Sequence, residues 1–390
     1  MIFQTFDEKN ECKNYYINNK FIDLLPEDIT KTWSYAKPLK GKHIDYAILY
    51  VQGKSLEEIC PEIFKKDLQK INNKINSINN SLKNARISLT ENCFYEFVPN
   101  SFLEEYCDVK NKISEYVFEN YDRPKQYDFY RRFNELLFDI KDIHQNIDMD
   151  HFKNDLKDEK SITYYRKILN TSKNIEYNLF GAITGRLSTT KDSFPIQNFP
   201  KKFRKYLKPH NDWFLSFDMN AAELRTSLAL IDKNQPDEDL YEMLKREIYE
   251  NKLNRTEVKE ATTAWLYNSS NENAQMYKDS LEEVFNKTLL KQKYWDGRHV
   301  YTPFDRIIES DEHHAISYLN QSTFIDLWHR QVLKIYDYLS DKQSFISFLL
   351  HDQFVIDLKD EEKNSIIDIT NLLQDTMYGK FPVKIEAGKN

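Results

Sequence analysis

The spacing of apolar residues changes period along the chain. Up to about residue 60, MIFQTF, NYYINNKFI and IDYAILYVQG are short alternating or apolar runs separated by turn residues, which predicts a β-rich module. From Pro61 the period becomes helical, with Ile63, Leu68, Ile71, Ile75, Ile78 and Leu82 near helical spacing. FLEEYCDVKNKISEYVFENY and KQYDFYRRFNELLFDIKDIHQ read as two further amphipathic helices, so residues 61–173 form a helical block. After Asn170 the texture changes again. GAITGRLSTTKDSFPIQNFPKKFRKYL is punctuated by Gly, Pro, Ser and Thr and predicts loops and turns.

Phe214, Leu215 and Phe217 then make a short strand, and it ends in Asp218. Five residues on, Glu223 opens a helical pattern with Leu224, Leu228 and Ile231 on one face. Helices are expected to about Thr302, followed by a long helix in SYLNQSTFIDLWHRQVLKIYDYL. In ISFLLHDQFVIDL two apolar runs flank His351, Asp352 and Gln353, which predicts a β-hairpin with an aspartate at its tip.

Two carboxylates thus end two apolar strands, 134 positions apart. If the strands pair in one sheet, Asp218 and Asp352 meet, and their repulsion keeps one protonated unless a cation neutralises both. Mg²⁺ suits such a site, because it takes few carboxylates together with substrate phosphates. A pair of such ions is the usual clamp for phosphoryl transfer. The plainer reading makes each aspartate a turn or N-cap residue. Between them, Arg255, Lys259, Thr263 and Tyr267 recur every fourth residue and form one stripe on a helix. A stripe that begins with two cations and ends in an aromatic suits a triphosphate with a base beyond it. The alternative is an exposed basic face partnered by Glu257 and Glu260.

Composition narrows the classes. A chain of 390 residues that is 40% hydrophobic, with 25 Tyr and 25 Phe, supports a large core in two or three domains. Only 7 Gly argues against a Gly-rich doubly wound nucleotide fold. No apolar run is long enough to span a membrane, and the N-terminus lacks a signal-peptide pattern. Cys12, Cys60, Cys93 and Cys107 form no CxxC pair, so they read as reduced, buried thiols of a cytoplasmic protein. The net charge of −7 does not by itself suggest a nucleic-acid partner. Its distribution does: Lys160–Lys208 holds eight Lys and three Arg against Glu176 and Asp192, a basic strip of +9 in a chain otherwise at −16.

In order, these elements resemble the family A DNA polymerases, the group of bacterial DNA polymerase I and many phage replicases. TGRLSTTKDSFPIQNFP resembles the family's TGRLSS…LQN-P element, and FDMNAAELR its motif A. Arg255-x3-Lys259-x7-Tyr267 has motif B spacing, HHAISYLNQSTFIDL resembles a helix whose Gln touches DNA, and LLHDQFVIDL resembles motif C. PVKIEAGKN is similar to the closing strand, so the resemblance runs from Asn174 to Asn390.

The resemblance implies an α+β right-hand polymerase. Its antiparallel palm sheet would come from 174–232 and 303–390, compact helical fingers from 233–302, and a helical thumb from 61–173. The β-rich module 1–60 has no implied role. Asp218, Asp352 and the backbone carbonyl of Met219 would hold two Mg²⁺. Glu223 would be the steric gate against a ribose 2′-hydroxyl. Arg255 and Lys259 would hold the incoming dNTP, with Thr263 beside its sugar and Tyr267 stacked near the nascent pair. Arg186, Gln321 and His351 would contact the minor groove and primer end. Gln197, Asn198, Lys201, Lys202 and Arg204 would hold the primer–template backbone.

Several positions depart from the family's pattern. An aromatic is usual at Thr263, Gly at Asn268, Glu at Gln353 and Asn at Ser317. Residues 1–180 contain no Asp-x-Glu of the kind that begins a 3′–5′ exonuclease, so the chain is not expected to proofread by itself, and a separate exonuclease or processivity subunit is the further partner the resemblance allows. The small size and Lys/Asn/Ile-rich composition resemble a phage-type enzyme working in a host cytoplasm. A single-subunit RNA polymerase shares the palm and both aspartates but is not expected to carry Glu at 223. A non-catalytic DNA-binding subunit would account for the loosened motif B without needing both aspartates.

Overall fold

The computed structural model describes residues 4–5, 14–87, 94–191 and 193–389. The chain forms two compact units, Met1–Asp142 and Ile143–Asn390.

In the first unit, Gln4–Thr5, Tyr15–Ile17 and Lys20–Ile22 form a three-stranded antiparallel sheet, and Lys31–Thr32 pairs in parallel with Asp45–Tyr46. The run IDYAILYVQG is not the expected strand. After Tyr46 it turns into a short helix, Ala47–Tyr50, whose Ala47 and Leu49 are buried. A short run that is apolar on every side carries no period to separate a buried strand from a buried helix. The helices Glu62–Asn84, Asn100–Asn120 and Tyr127–Asp142 lie where their patterns predict. Leu68 and Ile71 from the first and Val109, Ile113 and Val117 from the second share a core with Trp33, Ala47 and Val51. Ile63, expected on the same face, is exposed at the first turn. Cys60 and Cys107 are buried free thiols, and burial raises the pKa of both. Cys12 and Cys93 lie outside the described residues.

The second unit is built on a four-stranded antiparallel sheet in the order Phe345–Leu350, Gln353–Leu358, Trp213–Met219, Val383–Lys389. The central strand Trp213–Met219 alternates strictly at its end. Leu215, Phe217 and Met219 are buried, while Ser216 and Asp218 point the other way. The ring of Phe217 stacks on Phe354 of the hairpin at 5.0 Å and 6°, and Trp328 of the long helix Ala315–Tyr338 packs on Phe354. This aromatic contact fixes the register, because a one-residue slip would turn Phe217 away from the core.

Helices surround the far end of that strand: Ala222–Leu230, Leu240–Glu247 and Arg255–Leu266 share a core with the start of the long helix. The helical run stops at Tyr294, earlier than the pattern suggests. His299–Tyr301 and Ile307–Glu309 form a two-stranded ribbon instead. Its entry is set by Asp296, whose Oδ1 accepts the backbone N–H groups of Arg298 and His299 around Gly297. No described helix is long and apolar enough to cross a membrane.

Candidate active site

Asp218 lies opposite Gln353 in the pairing of the central strand with the hairpin. Asp352, the preceding residue, is therefore delivered to the same end of the sheet. The hairpin tip is tied down from outside: the Tyr177 hydroxyl accepts from Leu349 N at 2.9 Å and donates back to the Leu349 carbonyl. Gln197 donates to that carbonyl at 3.3 Å and accepts from His351 N at 3.2 Å. His351 itself has a left-handed φ of 54°, as a tight tip requires.

Asp218 feels the charge of Asp352. Burial, and then the charge of Asp352, push Asp218 up to about 6, although Lys259 and Lys384 oppose the shift. A site that raises Asp218 this far is short of positive charge around that carboxylate. Its donors are hard oxygens, as a divalent ion such as Mg²⁺ prefers, and the set is incomplete without ligands from a substrate. No cluster of three or more His, Cys, Asp or Glu able to hold a metal occurs among the described residues.

Beyond Asp218 the chain turns sharply. Ala221 takes a left-handed φ of 48°, and the helix Ala222–Leu230 begins at once. That turn is held by a fully buried arginine. Arg225 donates to the Asn220 carbonyl at 3.0 Å, Asn220 Oδ1 at 3.3 Å, the Pro236 carbonyl at 2.7 Å and the Glu238 carbonyl at 2.7 Å. Burial lowers its pKa to about 10. Arg225 is thus an internal clamp, joining the turn after Asp218 to the start of the next helix.

That next helix, Leu240–Glu247, is capped by Asp239, whose Oδ1 accepts from Tyr241 N and Glu242 N at 2.9 and 3.1 Å. Its Oδ2 accepts from Asn220 Nδ2 and from Arg255 Nη2, both at 2.7 Å. Arg255 therefore pairs with Asp239 rather than with Glu257 or Glu260. Glu257 is taken up in the capping box of Asn254.

All these elements line one cavity of about 340 Å³. Asp218, Met219, Glu223, Arg255, Lys259, Thr263, Tyr267 and Asp352 all face it, together with Tyr241 and Lys384, which sequence reasoning missed. Lys384 comes from the closing strand, directly across from Asp218. Nothing in PVKIEAGKN reveals that register.

Glu223 is fixed from both sides. Arg186 Nη2 reaches its Oε1 at 2.8 Å, and the Tyr267 hydroxyl donates to its Oε2. Gln321 Nε2 in turn donates to the Tyr267 oxygen at 3.0 Å. Burial raises the Glu223 pKa, against the pull of Tyr267 and Arg186. Burial and the adjacent Glu223 push the Tyr267 phenol well up. Arg186 follows Gly185, whose φ is +82° and where a Cβ would lie 2.6 Å from Arg306 Nη2. Arg306 is itself locked to buried Asp326 at 2.8 and 2.9 Å, so a glycine is needed to let the loop pass.

Asn268, just past the helix Arg255–Leu266, has a φ of 54°. Asn tolerates this left-handed position better than most residues, so it can stand where Gly is usual. It also adds bonds that Gly lacks, donating to the His313 carbonyl and accepting from Lys287.

The remaining candidates lie apart from the cavity. Asn198 and Lys201 are exposed, and Arg204 donates to the Phe199 carbonyl at 3.4 Å. Lys202 reaches Ser161 Oγ at 3.1 Å and Asp158 at 3.4 Å. Part of the basic strip is thus compensated within the fold, where Lys205 likewise pairs with Asp155.

No family model and no curated protein matches the chain. Among solved structures, it is similar to the polymerase domain of Pol1 from M. smegmatis, determined in complex with DNA primer–template and dNTP. The TM-score is 0.57 at 12% identity, covering 74% of this chain and 75% of that one. The fold is therefore that of a DNA polymerase domain.

Proposed function

We propose that the chain is a DNA-directed DNA polymerase: it joins a dNTP to a primer 3′ end on a DNA template and releases pyrophosphate. One observation carries the reading. Asp218 at the end of the central strand and Asp352 at the tip of the hairpin paired with it face, across one cavity, a helix that presents Arg255, Lys259, Thr263 and Tyr267 in line. The polymerase fold, and a neighbour whose structure holds primer–template and dNTP, support the same partners here.

In this reading Asp218, Asp352 and the Met219 carbonyl would hold two Mg²⁺; bound there, the ions would supply Lewis-acid chemistry at the primer hydroxyl and the transferred phosphate. Lys259 binds the triphosphate, and Arg255 exchanges Asp239 for phosphate oxygens. Glu223, braced by Arg186 and Tyr267, stands over the sugar and excludes a 2′-hydroxyl. Arg186, Gln321 and His351 meet the minor groove and primer end. Gln197, Asn198, Lys201, Lys202 and Arg204 follow the backbone. Residues 174–232 and 303–390 act as palm, 233–302 as fingers and 61–173 as thumb. The enzyme is of the family A, phage-replicase type, acts in the cytoplasm, and does not proofread with these 390 residues, a separate exonuclease or processivity subunit being its further partner.

The braced Glu223 favours a DNA polymerase over an RNA polymerase. Primer extension with dNTPs against NTPs tests this: Glu223→Ala is expected to raise NTP use relative to dNTP by about tenfold or more, the effect of losing a steric and desolvation barrier of ~1.4 kcal/mol or more. A parent enzyme that uses both equally would overturn the gate assignment, and an unchanged preference in Glu223→Ala would do the same.

A further inference from the structure

We propose that Lys384 is a built-in counter-charge for Asp218: before a ligand binds, it stands in for part of a metal ion's charge, and so makes metal binding depend on the incoming nucleotide. The inference rests on the polymerase reading and deepens it with a residue to which the resemblance assigns no role.

The sheet sets the geometry. The central strand is paired on both sides, and Asp218 lies directly opposite Gln353 on one neighbour and Lys384 on the other. Residues opposite one another in an antiparallel pair project to the same face, with Cβ atoms about 5 Å apart. A lysine side chain spans that gap, so the Lys384 ammonium can reach the Asp218 carboxylate by rotating its own stem. Lys384 lines the cavity with Asp218 and Asp352, and its charge pulls the Asp218 pKa down against burial. A lysine on an edge strand ordinarily guards against sheet extension. This one also faces a carboxylate across a single strand spacing, inside the cavity.

Its resting partner holds it weakly. Lys384 Nζ lies 2.6 Å from Glu386 Oε1, with both side chains more than half exposed. An ion pair in that setting is worth little and exchanges readily. On the other flank of Asp218 stands Gln353, an amide with no charge to offer a cation. Glu223, the third carboxylate of the cavity, is already taken by Arg186 and Tyr267. A divalent ion arriving alone therefore finds Asp218 and Asp352 to attract it, and Lys259 and Lys384 to repel it. A nucleotide triphosphate brings negative charge and oxygen ligands, offsets both lysines and removes that penalty. Metal and nucleotide then strengthen each other's binding by the same factor.

The test is Mn²⁺ binding, followed by the electron paramagnetic resonance signal of the free ion, for the full chain, Lys384→Met, Lys384→Gln and Lys384→Arg. Asp352→Asn measures binding elsewhere on the protein, which is subtracted, and thermal melts check folding. Lys384→Met keeps the stem and loses the charge. Without nucleotide it is expected to bind Mn²⁺ about tenfold more tightly than the parent, equivalent to ~1.4 kcal/mol, and Lys384→Gln to do the same. Lys384→Arg keeps the charge and is expected within about threefold of the parent. With a dideoxy-terminated primer–template and the matching dNTP, all four chains are expected within about threefold of one another. The inference is overturned if, without nucleotide, the neutral variants bind Mn²⁺ no more tightly than the parent, or if Lys384→Arg tightens as much as they do. A parent that extends primers while giving either result loses this inference alone. A parent that extends no primer sinks the polymerase reading itself.

Discussion

Asp218→Asn is expected to make the protein more stable and, at the same time, to abolish primer extension. The carboxylate is half-buried beside Asp352, and its pKa is raised from 3.8 to about 6. The folded state therefore binds this proton more tightly than the unfolded chain does. Stability associated with it is fully present below about pH 4, and is lost as pH rises through about 6. At neutral pH the ionised group opposes folding by up to about 3 kcal/mol, less whatever solvent screens. Removing the charge relieves that strain, so Asp218→Asn should gain roughly 1–2 kcal/mol at pH 7.5 and almost nothing at pH 4. Extension should fall by at least about a thousandfold, since in the proposed reading Asp218 is one of the carboxylates that would hold the metal ions. Thermal melts across pH, paired with extension assays, read both effects. A destabilised Asp218→Asn, or one that retains activity, contradicts the assignment. The same pKa makes the parent's activity fall as pH drops through about 6 in the free enzyme, where protons compete with metal.

Arg225→Met is expected to lower stability by about 3–5 kcal/mol, the scale for removing one side of a buried, charged hydrogen-bond set. The Asn220, Pro236 and Glu238 carbonyls would lose the guanidinium as donor, and Asn220 Oδ1 would keep only Leu240 N. In a unit of this size the midpoint should drop by roughly 10 °C. Arg225→Lys should not rescue it, because one ammonium cannot span acceptors set around a planar guanidinium. Damage should also spread to nucleotide binding, because the clamp positions the Asp239 cap and with it Arg255 and Tyr241. A midpoint within about 2 °C of the parent in calorimetry would show that the clamp is not structural.

Much of the candidate site was legible because it lies in local patterns. The strand that ends in Asp218, the helix that opens at Glu223 and the hairpin around Asp352 each carry their own period and turn residues. The four-residue stripe needed only helix geometry. What sequence could not give was pairing between elements. Asp239 reads as an ordinary N-cap in DEDLYEML, yet it also anchors Asn220 and Arg255. Tyr241 looks like one more core aromatic, and Lys384 one more lysine, until packing turns them into the cavity. The short helix Ala47–Tyr50 and the ribbon after Tyr294 were misread for a related reason. In one the apolar run has no period, and in the other the Asp-Gly turn signal sits inside a stretch dominated by helix formers.

The central claim is that Asp218 and Asp352 form one metal-dependent nucleotidyl-transfer site. It is tested most directly by primer extension on a DNA template with dNTPs and Mg²⁺, comparing the parent with Asp352→Asn of matched folding. The account predicts extension by the parent, its loss on chelation, and a decrease of at least about a thousandfold in Asp352→Asn. No extension by the folded parent, or undiminished extension by Asp352→Asn, would contradict it.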